Sequence, residues 1–170
     1  MKIRAEEERD HHAIAEVTAR AFAAMEHSNQ TEPAIIAALR KAGALSLSLV
    51  AVDGEDVIGH IAFSPVTIDG KDGGWFGLGP VSVHPDRQGV GIGGALIRQG
   101  VDQLRAQGAA GCVLLGEPTY YRRFGFENDN SLRYEDAPPE YFMRMAFGSS
   151  VPRGRVEYHS GFGSVQDGVG

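Results

Sequence analysis

The residues of this sequence best suited to chemistry form a glycine-dense run, Gln88-Gly89-Val90-Gly91-Ile92-Gly93-Gly94. The run falls between an apolar stretch that reads as a strand and an amphipathic stretch that reads as a helix. Glycines let the backbone approach a ligand closely, and the first N–H groups of a helix point outward at the positive end of its dipole. In physical terms this is a pyrophosphate site. A ligand-free strand-to-helix turn is the alternative, but four glycines within six residues exceed what such a turn needs. Gly89-x-Gly91-x-x-Gly94 also matches the dinucleotide fingerprint, with Glu117 at roughly the distance of its ribose-binding acid. Three features oppose that reading. His84-Pro85-Asp86-Arg87 separate the loop from the strand, helices and hairpins precede it where that fold should begin, and too little chain follows for further βαβ units. No Gly-Lys-Ser or Gly-Lys-Thr occurs, so a triphosphate loop is excluded as well.

Other polar candidates carry less. His84 reads as a turn residue before Pro85, and His11, His12 and His27 as solvated helix positions. His60 lies within a strand, and its facing is not decided by the pattern. Cys112, in an apolar strand, reads as a buried structural thiol. No His, Cys and Asp spacing suggests a metal, so none is expected. Glu127, Asp129, Glu135, Asp136 and Glu140, against Arg133, could attract a cationic amine or simply form a solvated loop.

The elements that must position the loop follow from periodicity. Lys2–Ala5 reads as a short strand. A helix is expected over 11–25, with Asp10 as N-cap and Ile14, Val17, Phe22 and Met25 on one side. A second helix is expected over 32–42, with Pro33 in its first turn, Ile35, Ile36 and Leu39 inward, and Gly43 as its stop. Strands over 45–52, 57–68 and Trp75–Val83 are joined by short glycine-containing connections of the antiparallel kind. A helix over 91–107 follows the loop, with Leu96, Ile97, Val101 and Leu104 inward. A fourth apolar strand covers 110–116, a short helix 118–123, and 155–160 is the best strand of the tail. Strand, two helices, three strands, helix and strand make an α+β or mixed α/β sheet, not an alternating βαβ array.

Composition agrees with one ordinary domain. The chain has 170 residues, 42% of them hydrophobic, and 23 glycines, about twice the usual share of about 7%. The glycines have no collagen period, and the apolar content is too high for a linker. A net charge of −6 disfavours nonspecific nucleic-acid binding. No apolar run is long enough for a membrane span, Met1 to Glu8 turn acidic where a signal peptide would turn apolar, and Cys112 has no disulfide partner. A cytoplasmic protein in a reducing compartment is expected, with no nucleic-acid or membrane partner.

Val81-Ser82-Val83-His84-Pro85-Asp86-Arg87-Gln88-Gly89-Val90-Gly91-Ile92-Gly93 resembles the acetyl-CoA motif of the GNAT superfamily of N-acetyltransferases, a strand followed by [QR]-x-x-G-x-[GA]. Tyr120-Tyr121-Arg122-Arg123-Phe124-Gly125-Phe126 resembles the Y-x-x-x-G-F segment of the same superfamily. Gly116-Glu117-Pro118, Leu78-Gly79-Pro80 and the late Tyr158-His159-x-x-Phe162 look like its YhbS-like branch, so the similarity spans most of the chain.

The resemblance implies one GNAT domain over residues 1–170, with a mixed, mostly antiparallel sheet flanked by helices. It leaves 138–170 as an extra strand and a pocket or dimer element. It implies attack of a primary amine on the thioester of acetyl-CoA. Gln88, Gly89, Val90, Gly91, Ile92, Gly93 and Gly94 would hold the pyrophosphate. Val81, Ser82 and Val83 would pair with the pantetheine arm, and Phe124 would contact the cofactor. Tyr121, four residues before Gly125, occupies the position of the general acid that protonates the CoA thiolate. Tyr is protonated at neutral pH and can donate. Glu117 is the base candidate, although Glu117-Pro118 stands where many members carry Asn-x-x-Ala. The acceptor would be a small-molecule or peptide amine, and a homodimer is left open. The alternatives are a non-catalytic acyl-CoA-binding module and an NAD(P)-binding protein.

Overall fold

A computed structural model describes residues 1–26 and 28–163. The described residues form eight strands: β1 (Lys2–Ala5), β2 (Leu47–Asp53), β3 (Asp56–Ile68), β4 (Trp75–Val83), β5 (Gly111–Leu115), β6 (Leu132–Arg133), β7 (Phe142–Ala146) and β8 (Gly154–Tyr158). They are accompanied by the helices α1 (His11–Phe22), α2 (Glu32–Lys41), α3 (Ile92–Ala106) and α4 (Pro118–Tyr121). The main sheet runs β1-β2-β3-β4-β5-β7, with β8 paired to the far end of β3 and to β6. Its pairs are antiparallel except β4 with β5 and β6 with β8. A doubly wound dinucleotide fold, built on parallel strands, is therefore not what this chain adopts.

Alternation along the strands divides two apolar faces. Leu49 and Ala51 of β2, Ile61 and Phe63 of β3, and Cys112 and Leu114 of β5 pack with Leu96, Ile97, Val101 and Leu104 of α3. On the other face Val50 and Val52 meet Ile14 of α1 and Ile36 of α2. Farther along that face, Val66, Trp75, Val113, Phe142 and Val156 form a second cluster. Burying one such aliphatic side chain stabilises the fold by about 1.5–3 kcal/mol. Close approach of α3 to β3 depends on Gly100, where a Cβ would overlap the Phe63 ring.

Two expectations at α1 are corrected. Asp10 is not a side-chain N-cap. It ends a 3₁₀ turn, where its carboxylate accepts the Glu7 N–H at 2.7 Å and two Arg4 N–H groups at 2.7 and 3.1 Å. The guanidinium is a stronger donor than a peptide N–H and captures the acid. The helix also stops at Phe22, so Met25 lies beyond it and is 48% exposed. His27 and residues 164–170 lie outside the described residues, and with them part of the expected tail element.

Candidate active site

The defining geometry is a fork in the sheet. β4 pairs with β5 only at Trp75, Phe76 and Gly77. From Leu78 to Val83 no strand among the described residues lies beside its outer edge, while Leu114 and Leu115 of β5 pair with β7. The phase of the open edge follows from one bond, His84 N–H to the Ile58 carbonyl at 2.8 Å. In an antiparallel ladder bonding alternates, so Ser82 turns its peptide groups toward β3 and Val81 and Val83 turn theirs into the opening. The Val83 carbonyl already accepts the Gln88 Nε2–H at 3.0 Å. The Ser82 side chain is buried on the α1 side, its hydroxyl without a hydrogen-bond partner among the described residues.

The glycine loop closes one end of the fork. Gly89 and Gly91 take φ of +82° and +89°, a region L side chains avoid, and Gly91 caps α3. The first hydrogen bond of α3 in this turn is Ala95 N–H to the Gly91 carbonyl at 3.1 Å. The N–H groups of Ile92, Gly93 and Gly94 are therefore orphans of the helix terminus. Among the described residues no acceptor in the chain takes the N–H of Gln88, Gly89, Val90 or Gly91 either. This row of free donors at a 15-residue helix suits a pyrophosphate. Side chains contribute little: Val90 is 72% exposed, and Ile92 is buried in the core.

The aromatic segment sits against the same face. α4 starts at Pro118 and runs into a 3₁₀ turn that Gly125 ends at φ +102°. Tyr120, Tyr121 and Phe124 pack edge-on or tilted, with centroids 5.0–6.3 Å apart. Tyr121 lies over Gly116, where a Cβ would overlap its ring. Burial, and then the neighbouring Tyr120, push the Tyr121 hydroxyl up to about 12. Tyr120 stands at the loop: a Cβ at Gly93 would be 3.6 Å from its hydroxyl and equally far from Val83 Cγ2. Glu117 is exposed at the start of α4, and its carbonyl accepts the Tyr120 and Tyr121 N–H groups at 3.1 Å.

Two cations the sequence did not single out complete this rim. The Arg98 guanidinium lies 4.9 Å from the Phe124 ring centre and Arg123 4.7 Å from that of Tyr120. Neither has a carboxylate partner among the described residues. Arg98 was detectable only through its helical phase, one turn after Gly94, and Arg123 only by its place beside Phe124.

The histidines fall elsewhere. His84 Nδ1 accepts the Asp86 N–H at 3.1 Å and holds the turn. His60 is fully buried on the α1 side, bonded to Ser48 at 2.8 Å. Ser48 in turn reaches Glu6, which also takes a two-pronged bond from Arg40 at 3.0 Å. Burial would raise the Glu6 carboxyl, but Arg40 and Ser48 outweigh it and hold it low. Cys112 is fully buried, and burial pushes its thiol up. The acidic stretch divides: Glu127 and Asp129 pair with Arg144 at 3.1 and 3.0 Å, whereas Glu135 and Asp136 line a cavity. That cavity, of about 710 Å³, lies beside the fork between Leu78, Gly79 and Pro80 of β4, Leu115 of β5, and the β8 end of the chain. Among the described residues no group of three or more His, Cys, Asp or Glu could hold a metal ion, and no helix is long and apolar enough to cross a membrane.

Comparison with known proteins agrees with this architecture. The family described as acetyltransferase (GNAT) domain matches residues 2–128. The uncharacterized N-acetyltransferase YhbS of Escherichia coli K12 is 36% identical over 141 residues, covering 79% of this chain and 84% of that protein. A GNAT family acetyltransferase from Brucella melitensis, solved in complex with acetyl-CoA, superposes with a TM-score of 0.86 at 53% identity, covering 95% of this chain and 97% of that one. Escherichia coli YhbS in complex with CoA superposes with a TM-score of 0.87 at 35% identity, covering 95% and 91%. A forked, mostly antiparallel sheet, a glycine loop at the helix after β4 and this breadth of similarity have one explanation: the chain belongs to the GNAT family of acetyltransferases.

Proposed function

We propose that the chain transfers the acetyl group of acetyl-CoA to a primary amine by direct attack, with Tyr121 as general acid. The observation that carries this reading is the fork: an open β4 edge with the Val81 and Val83 peptide groups turned into it, ending at the free N–H groups of the glycine loop. The residues present fit acetyl-CoA. N–H groups from Gln88 to Gly94 would take the pyrophosphate, and Arg98 and Arg123 would add positive charge beside it. The Val81 and Val83 peptide groups would pair with the amides of the pantetheine arm, as a neighbouring strand does. Acetyl-CoA supplies an activated acyl group whose thiolate leaves. The solved Brucella melitensis and Escherichia coli relatives, bound to acetyl-CoA and CoA, support this choice of ligand.

In the transfer a C–N bond forms, the C–S bond breaks, the amine gives up one proton and the thiolate takes one. Tyr121 donates that second proton. A hydroxyl pushed up to about 12 is a weak acid in the free protein. The same exclusion of water makes a departing thiolate a stronger base, which brings donor and acceptor closer together. Glu117 is the base candidate for the amine proton. Being exposed, it would work at the rim of the fork and not within it. The domain is read as single over residues 1–170 and its location as cytoplasmic.

Thermal-shift comparison of acetyl-CoA with NADH, followed by CoA release across a panel of amines, tests the proposal. Acetyl-CoA should stabilise the protein where NADH does not, and at least one amine should release CoA. Stabilisation by acetyl-CoA without release from any amine would leave a binding module in place of an enzyme.

A further inference from the structure

The geometry points to the cavity beside the fork as an acceptor site that selects amines carrying a second positive charge about 10 Å from the nitrogen to be acetylated. This inference rests on the transferase reading above. The cavity has two unlike ends. Where it meets the fork it is lined by Leu78, Gly79 and Pro80 of β4 and by Leu115, which is 42% exposed to it and to solvent. None of these four residues carries a charge that would hold a proton on the attacking nitrogen, which must be neutral to react. Away from the fork stand Arg155 and Glu135, and the lining also includes Asp136, Glu157 and, from α2, Glu32.

The strand register sets the distance between these ends. β8 pairs Tyr158 with Val66, Glu157 with Thr67 and Val156 with Ile68 of β3. Tyr158 therefore stands at the fork, its ring against Gly77, the last β4 residue paired with β5. Arg155 is three residues farther along β8, about 10 Å away at the rise of a strand. Glu135 stands with it, 3.9 Å from the guanidinium.

Charge along the cavity is one-sided. The lining holds four acids, Glu32, Glu135, Asp136 and Glu157, against one arginine, Arg155, a formal net of −3 for these five residues. Arg155 is committed to Glu157 at 2.5 Å and lies near Glu135, which leaves Asp136 without an ion pair among the described residues. Glu32 accepts a hydrogen bond from the Ser28 hydroxyl at 2.7 Å, and among the described residues it has no ion pair. An aromatic corner belongs to the same lining. Tyr134 meets Tyr158 edge-on at 5.1 Å, and Tyr158 meets Phe162 at 5.2 Å. Ring faces beside surplus carboxylates attract ammonium groups and repel carboxylates. A neutral or anionic tail on the acceptor would leave the far-end charges unanswered. A long diamine or a chain bearing a distal ammonium answers them.

A series of seven-carbon amines tests this on the full chain: 1,7-diaminoheptane, heptylamine and 7-aminoheptanoate, which end distally in an ammonium, a methyl and a carboxylate group. CoA release from acetyl-CoA is measured for each, together with calorimetric binding of each to the CoA-saturated protein. The diamine should exceed heptylamine by about tenfold in kcat/KM and in affinity, with the amino acid poorest. Joint substitution of the exposed pair, Glu135→Gln with Asp136→Asn, should bring the diamine-to-heptylamine ratio to within about twofold. Equal binding of the three ligands, or a ratio unchanged in the double variant, overturns the inference. Diamine-selective binding with no CoA release from any amine would uphold the cavity's selectivity and remove the transferase reading. CoA release indifferent to distal charge would do the reverse.

Discussion

Tyr158 lies so close over Gly77 that a Cβ on the glycine would come within 2.6 Å of its Cε1 atom. Gly77 is the last residue of β4 paired with β5, at Val113, so a ring from the end of the chain is wedged at the point where the sheet opens. The shape of the fork thus depends on a contact between residues 81 positions apart.

Gly77→Ala should therefore overpack this point and destabilise the fold by about 1–3 kcal/mol in chemical unfolding. In a Tyr158→Ala background the same substitution should cost much less, since the colliding ring is gone. Equal costs in both backgrounds would mean that the two residues do not meet.

Gly91 has open space around a would-be Cβ but a φ of +89°. Gly91→Ala should cost about 1–2 kcal/mol in stability through backbone conformation alone. It should also raise the acetyl-CoA dissociation constant, because the loop's N–H groups would lose their alignment. Calorimetric titration separates the two effects. Arg98→Gln should weaken the same titration about tenfold, by loss of a charge-assisted phosphate contact, and high salt should shrink the difference between wild type and variant.

His60 predicts the acid response of the fold. Burial pushes its imidazole down to about 4 from the ordinary value of 6.5. The unfolded chain therefore binds a proton below pH 6.5 that the folded protein refuses. Stability from the neutral ring is present above pH 6.5 and is lost as pH falls from 6.5 to about 4. The loss is about 3 kcal/mol at most. Melting temperatures between pH 7 and 4.5 should fall more steeply for the wild type than for His60→Gln; parallel slopes would contradict this.

Much of the frame was legible in the sequence for local reasons. Hairpins β2–β3 and β3–β4 follow from β-rich runs cut by Asp53-Gly54 and Asp69-Gly70, and both glycines adopt positive φ. α3 was marked by its apolar stripe and by Gly91 and Gly108 at its ends. Asp10 looks the same in sequence whether its carboxylate serves the N–H groups of the helix ahead or, as here, Arg4 and the Glu7 N–H behind it. Met25 continued a periodicity that the helix itself does not follow. The fork was not readable, since an unpaired stretch of β4 has the same composition as a paired one. Its cavity collects Phe22, Leu78, Leu115, Tyr134 and Tyr158 from five separate places in the chain, which no local pattern records.

The central claim, acetyl transfer with Tyr121 as the acid, is tested most directly by CoA release in Tyr121→Phe beside its acetyl-CoA dissociation constant. With a donor pushed up to about 12, the wild type should show no alkaline loss of activity from this group below about pH 10. The variant should lose about a hundredfold or more in kcat while binding acetyl-CoA as the wild type does. Unchanged turnover in Tyr121→Phe would contradict the account.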